Sequence, residues 1–394
     1  MKAGKRRVLL AVVSALALSG AASAAGAEAG INVLEQPGQI KPMRSEAGKD
    51  SAKAANLVSQ ALLRPIALSA EARCPDKPAA AEEEAPRVVC LALAFEAELT
   101  PDQRERLRFP FTAKNAVSWS NRPVDEVPRN GLPLGELSEG GLEAFKALTR
   151  EAFGPEGYNA MRGIMLADDA ESTLVGNSPR WSSKLYYIEF LGDPSSREPW
   201  MLQLSGHHLA FNHTFQTREI GATPMFLGID PRKFVAGGRE WAVMEPRLDA
   251  MYTMLRSLPP DELAAAKLAD SYADVLLGPG KDGHFPEAEG IPYSHLGEQQ
   301  KQRVRAAVSA WVRTAEPAEA EALLAAYFDP EALKRTYIAW SGSTDENVPG
   351  SYVRIDGPRL WLETITLKPE SIPGQGHVHS IWRDRKADYG GCFF

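Results

Sequence analysis

The sequence predicts an α+β fold: a mixed or antiparallel sheet of chain-distant strands, with a helical block to one side. Three observations carry that expectation. Strand-type runs, rich in aromatic and apolar residues, fall at 184–191, at 200–215 and again beyond residue 337. Helix-spaced segments occupy the interval between them. Neither the βαβ alternation of a doubly wound sheet nor an internal repeat is present. The 394 residues are 44% hydrophobic, ordinary for a chain with a proper core, so global disorder is excluded.

The elements follow in chain order. MKAGKRR is a cationic start, VLLAVVSALALSG is apolar, and Ala22-Ser23-Ala24 is a small-residue cleavage site. The apolar run is shorter than the ~20 residues of a membrane span. Residues 1–24 therefore read as a cleaved signal peptide, and the expected destination is periplasmic or extracellular. Arg6-Arg7 leaves Sec and twin-arginine export both open. Cleavage would leave 394 − 24 = 370 residues and, by removing Lys2, Lys5, Arg6 and Arg7, shift the net charge from −7 to −7 − 4 = −11. Such acidity argues against nucleic acid or an anionic membrane surface as partners. Residues 25–51, rich in Gly, Pro and Ala, read as a flexible segment, and residues 52–394 as a single large domain.

Three cysteines are too few for a disulfide framework or a four-cysteine zinc module. In an oxidising compartment Cys74 and Cys90 are candidates for a bridge worth about 3 kcal/mol, the alternative being two free thiols. Cys392 has no evident partner. From Leu137 to Leu174 the chain reads as helical, with Leu142, Phe145, Leu148 and Phe153 at helical spacing. Strands follow at Lys184–Leu191 and Trp200–Phe215. The helical block is expected over Glu240–Leu258, Pro260–Leu277 and Glu298–Tyr327. Strands return at Tyr337–Trp340, Tyr352–Ile355, Arg359–Thr366 and Val378–Trp382.

Familiar motifs do not account for the chemistry. GPGKDG at Gly278–Gly283 spells GxGxxG, yet a dinucleotide cradle needs a strand before it and a helix after it. GxSxG, HExxH and CxxC are all missing. Seven histidines remain, five of them in two short segments: His207, His208 and His213, then His377 and His379. Residues i and i+2 of a strand share a face about 6.5–7 Å apart, so His377 and His379 can offer two imidazoles to one ion or substrate group. The other reading is one surface and one structural histidine. In the first segment Leu202 and Leu204 share a face, as do Leu209 and Phe211, but the step between the pairs is odd. A bulge at Ser205–His208 would restore both pairs to the core and re-aim the histidines. His213, about 20 Å along a straight strand from His207, is not expected at the same ion.

GHHLAFNHTF, TPMFLGIDP, SYVRIDGPRLWLE and the terminal HVHSIWRDRKADYG together resemble the domain-of-unknown-function family 3500, in order from about Phe109 to the C-terminus. The resemblance implies an exported protein with conserved histidines in both segments and supplies no established reaction. The matching positions are His207, His208, Glu245, Tyr352, Arg354, Glu363, His377, His379, Arg383, Asp384, Asp388 and Tyr389. The cysteine-bracketed stretch and the Thr366–Gly376 link depart from the pattern.

On this basis His207, His208, His377 and His379 are expected to hold a divalent transition metal: zinc, copper or iron. Glu363, Arg383 and Asp384 are candidate catalytic groups. Glu363 would serve as a fourth ligand or general base, and Arg383 would bind a substrate carboxylate or phosphate. Arg354, Tyr352, Glu245 and Asp388 are candidate substrate contacts. Each charged group has a plainer reading as an internal ion pair. The expected function is a metal-dependent enzyme, hydrolytic or oxidative, acting on a small molecule. A non-catalytic metal-binding protein and a metal-free ligand-binding protein using the same histidines are the alternatives.

Overall fold

Eight strands form the body of one sheet: β1 (Tyr187–Leu191), β2 (Trp200–Gly206), β3 (Leu209–Phe215), β4 (Met225–Ile229), β5 (Tyr337–Ser341), β6 (Tyr352–Asp356), β7 (Leu360–Leu367) and β8 (His377–Asp384). Their order across the sheet is β1-β2-β3-β4-β8-β7-β6-β5, and each neighbouring pair is antiparallel. Two-residue strands extend it, among them Arg108–Phe109, which runs parallel to β1, so the whole sheet is mixed. The computed structural model describes residues 56–71, 74, 87–216 and 220–394. The segments read as signal peptide and flexible stretch lie outside the described residues.

Helices cover one face of this sheet. They are α1 (Leu57–Leu63), α2 (Arg87–Ala97), α3 (Glu139–Ala152), α4 (Gly154–Leu174), α5 (Glu245–Arg256), α6 (Glu298–Val312) and α7 (Pro317–Tyr327), with shorter helices between them. Ser138 starts α3 by accepting from the Gly141 amide, a cap worth about 1 kcal/mol. The helical spacing of Leu142, Phe145 and Leu148 then turns one stripe into the core, where Met161 and Ile164 of α4 join Leu204, Phe211, Leu227 and Trp382 from the strands. Phe153, between the two helices, stacks on Phe211 with ring centroids 4.2 Å apart, worth about 0.5–1.5 kcal/mol beyond its buried area. The α+β architecture is therefore the one the sequence predicts.

The opposite face carries a second, smaller apolar cluster, including Trp119, Met201, Phe226, Leu277, Trp361 and Ile381. Its cover is mostly irregular chain. Here the structure departs from the expected helix over Pro260–Leu277: only Pro260–Ala265 is helical. The Trp340 amide donates to Ala266 O, and the Leu268 amide donates to Trp340 O. This short parallel bridge to β5 takes the backbone bonds a helix would need. The chain then crosses the sheet as a loop to Gly290.

Two further expectations change. The expected bulge at Ser205–His208 is a hairpin turn: Gly206 pairs with Leu209, Ser205 with Ala210 and Leu204 with Phe211. A two-residue turn reverses the chain and puts Leu202, Leu204, Leu209 and Phe211 on one face with no extra residue, which explains the odd step. The helix expected from Glu240 begins at Glu245, because Arg239–Trp241 is a short strand paired with Phe234–Ala236. Strand β4, not anticipated, lies between β3 and β8 and joins the two histidine segments. Cys74 and Cys90 form a disulfide, and Cys392 is free. Among the described residues no helix is long and apolar enough to cross a membrane.

Candidate metal centre

The hairpin leaves His207 and His208 as its two turn residues. His208 has φ 64°, in the left-handed region where histidine is enriched several-fold over most non-glycine residues. Its backbone is fixed on both sides. The amide donates to Asn121 O at 2.9 Å, and the carbonyl accepts from the Gly228 amide at 2.7 Å. Beneath the turn, a Cβ on Gly206 would meet the Tyr186 ring at 2.6 Å, so only glycine fits there. The Tyr186 hydroxyl lies 2.6 Å from His207 O and 2.9 Å from Asp168 Oδ2, tying the turn to α4.

His377 and His379 open β8 and share the face away from the helices. Gly228 of β4 pairs with His379, which places the start of β8 beside the turn. The result is a corner of three imidazoles. His208 Nε2 is 2.7 Å from His377 Nε2, and His377 Nε2 is 2.9 Å from His379 Nε2. A ring nitrogen of neutral imidazole holds either one proton or one lone pair. His377 Nε2 cannot make a good hydrogen bond to both neighbours at once: as a donor it has one proton, and as an acceptor one in-plane lone pair. A cation placed among the three nitrogens accepts all three lone pairs. The donor set therefore fits a metal ion, and His208, His377 and His379 can hold one.

The surroundings fit the same reading. His379 Nδ1 is 2.8 Å from Asp274 Oδ1, the carboxylate–imidazole pairing that keeps the proton on Nδ1 and turns the Nε2 lone pair inward. Burial pushes the Asp274 carboxyl up, but the hydrogen bond and charge of His379 and the Val275 amide outweigh it and leave the group below its ordinary value. Burial, reinforced by the neighbouring imidazoles, holds His208 and His377 well below the usual histidine range, in the neutral form a metal requires. Gly228 closes the corner: a Cβ there would lie 3.0 Å from His379 Cδ2 and 3.1 Å from His208 Cδ2.

His207 turns elsewhere. Its ring stacks on His208 at 3.6 Å between centroids, and its Nδ1 lies 2.9 Å from Asp168 Oδ1. With Glu171 and His208 these residues form a second group of ligating atoms, all within 4.8 Å of one another. His213 is fully buried against Phe153 and Phe211, and both its ring nitrogens lack a hydrogen-bond partner. Burial pushes its pKa down to about 3. It belongs to the core.

Of the other expected site residues, Tyr352, Arg354, Glu363 and Arg383 share the face of β6, β7 and β8 with the histidines, whereas Asp384 and Glu245 lie on the helix side. Glu363 was a candidate base or fourth ligand. Its Oε1 accepts from the Leu277 amide and Trp361 Nε1, and its Oε2 from the Leu276 amide and the Tyr352 hydroxyl, at 2.7–3.0 Å. Four donors saturate the carboxylate and pin the crossing loop to the sheet. Tyr352 is thereby fixed as well. Arg383 donates to Leu277 O, Gly278 O, Asp282 and Asp388, which leaves no free fork for a substrate anion. Asp384 faces the helices, where Arg359 and the Tyr327 hydroxyl bind it. Asp388 accepts from the Asp384 amide and Arg383. Arg354 is buried, pairs with Glu289 and lies over the Trp361 ring. Glu245 pairs with Arg232 and Lys233 at the start of α5. Glu363, Tyr352, Arg383, Asp384, Asp388 and Glu245 thus each have partners within the fold, while Nε and Nη1 of Arg354 are buried without one.

Asp168, Glu171, Asp274 and Gly228 escaped the sequence reading. A signal for the first two was present. Met161, Ile164, Asp168 and Glu171 follow helical spacing, so two acids fall on the apolar stripe of α4, where an unpaired charge is costly. Asp274 gave no such signal, because its segment read as helix.

A family model described as a protein of unknown function, DUF3500, matches residues 81–391, beginning earlier than the resemblance from about Phe109. No curated protein and no solved structure matches the chain. The match spans most of the sequence and takes in both histidine segments and the loop that carries Asp274: the chain belongs to the DUF3500 family.

Proposed function

We propose that this is an exported, metal-dependent enzyme that acts on a small molecule by hydrolytic or oxidative chemistry, with zinc, copper or iron at His208, His377 and His379. One observation carries the reading: three Nε2 atoms converge with too few protons to satisfy one another. Three protein ligands leave a fourth position for water or substrate, as catalytic sites do. A bound ion of this class activates water near neutral pH or carries redox chemistry. The chain's own part is to hold the imidazoles. Asp274 orients His379, the Asn121 and Gly228 backbone contacts fix His208, and Gly228 lets two rings approach. The signal-like N-terminus and the Cys74–Cys90 disulfide support export.

A second reading, a metal-holding protein without turnover, is favoured by one observation: Glu363, Arg383 and Asp384 are all tied up internally. Elemental analysis of the purified chain, combined with ester, phosphoester and oxygen-consumption assays, decides between them. The proposal expects a bound transition metal and a turnover that a chelator removes and the metal restores. Metal without turnover selects the second reading. A chain that neither carries nor takes up a transition metal would refute both.

A further inference from the structure

We infer that His208 is a bridging ligand, and that its Nδ1, with Asp168, Glu171 and His207, forms a second metal site on the helix side of the sheet. This rests on the three-imidazole reading for the first ion only. The second group stands on its own geometry.

The hairpin turn sits at the sheet end, between α4 on one side and the start of β8 on the other. The His208 ring spans that boundary. Its Nε2 lies 2.7 Å from His377 Nε2, while its Nδ1 lies 4.0 Å from Asp168 Oδ1. On the α4 side, His207 Nδ1 is 2.9 Å from the same carboxylate oxygen, and the ligating atoms of Asp168, Glu171, His207 and His208 all fall within 4.8 Å of one another. Asp168 and Glu171 are three residues apart on one helix, so both carboxylates project from the same face.

Two independent features point to an occupant. His208 Nδ1 and Glu171 Oε2 are both buried and both lack a hydrogen-bond partner. His208 and Glu171 are each 1% exposed, so solvent does not compensate them. Buried polar atoms are almost always paired, and two orphans in one cluster of four ligand-type side chains mark the place of a missing partner. An ion there would bind two carboxylate oxygens and two imidazole nitrogens, a mixed set suited to zinc or iron. With both nitrogens of His208 ligating, its remaining ring proton passes to solvent. The two ions then sit about 6 Å apart, given two ligand bonds of about 2.0–2.1 Å across the ring. The Tyr186 hydroxyl, on the other oxygen of Asp168, keeps Oδ1 turned toward His207.

Metal stoichiometry tests this in the full chain, loaded with zinc or copper(II) and dialysed. The inference expects two ions per chain in the parent protein, one in Asp168→Asn/Glu171→Gln, and one in His377→Ala/His379→Ala. With copper, exchange across the bridge should make the parent's electron paramagnetic resonance integrate to well under two spins, and the acidic-site variant should recover one full spin. Should the double acidic variant fail to fold, His207→Gln, whose ring is partly exposed, carries the same expected drop to one ion. One ion in the parent and an unchanged one in the acidic-site variants would overturn the inference and leave the three-imidazole reading standing. Two ions with uncoupled copper would overturn the bridge. One ion that survives His377→Ala/His379→Ala but not the acidic substitutions would overturn both the bridge and the three-imidazole reading.

Discussion

Two polar clusters lie on the same face of the sheet, both drawn from β8, yet they are built on opposite principles. Around Glu363 and Arg383 acceptors meet donors: four donors converge on one carboxylate, and Arg383 donates to two carboxylates and two carbonyls. At the start of the same strand, three imidazole nitrogens face one another without the protons to pair them. The first cluster is complete and staples the crossing loop to the sheet. The second has the donor set that a cation would complete. Charge density alone therefore misleads. A buried network whose atoms are all satisfied reads as architecture, while a convergent set with unused lone pairs reads as a site.

The largest expected effect falls on the complete cluster. Arg383→Ala leaves the buried Asp388, and the partly buried Asp282, without their cation, and loss of one partner of a buried pair costs about 3–5 kcal/mol. Urea denaturation of the metal-free protein should show that loss. A change under about 1 kcal/mol would mean the network is not the staple described here.

A smaller effect sharpens the other side. Asp274 is half exposed and meets only the outer nitrogen of His379 and its neighbouring Val275 amide, so Asp274→Asn should change metal-free stability little. Loss of the carboxylate that orients a ligating imidazole should weaken metal binding 10–100-fold, about 1.4–2.7 kcal/mol. Competition against a chromogenic chelator measures it. Unchanged affinity would remove Asp274 from the metal-supporting shell.

Much of this was legible in the chain because the informative signals were local. Two-residue spacing put His377 and His379 on one face, and the strands from Tyr337 onward follow their apolar pattern closely. The odd step between Leu204 and Leu209 correctly marked an irregularity, but periodicity could not distinguish a bulge from a turn; the cross-strand pairing of Leu204 with Phe211 decides it. What stayed hidden depended on long-range pairing. Residues 266–277 have helix-compatible apolar spacing, and long-range contacts hold them as a loop: the bridge to Trp340, the Asp274–His379 contact, the bonds from Leu276 and Leu277 to Glu363 and the bond from Arg383 to Leu277 O. Asp274 was lost with that segment. The partners of Glu363, Arg383 and Asp384 were hidden as well, because a sequence displays charge but not the groups that neutralise it.

X-ray absorption spectroscopy of the zinc-loaded protein tests the central claim most directly, since it reads the ligands of the ion itself. In the Asp168→Asn/Glu171→Gln background, which removes the acidic group, zinc should show imidazole scattering from His208, His377 and His379 with Zn–N distances of about 2.0–2.1 Å, and adding His377→Ala/His379→Ala should lose most of that imidazole contribution. A spectrum with only oxygen neighbours, or one unchanged by the double substitution, would contradict the account.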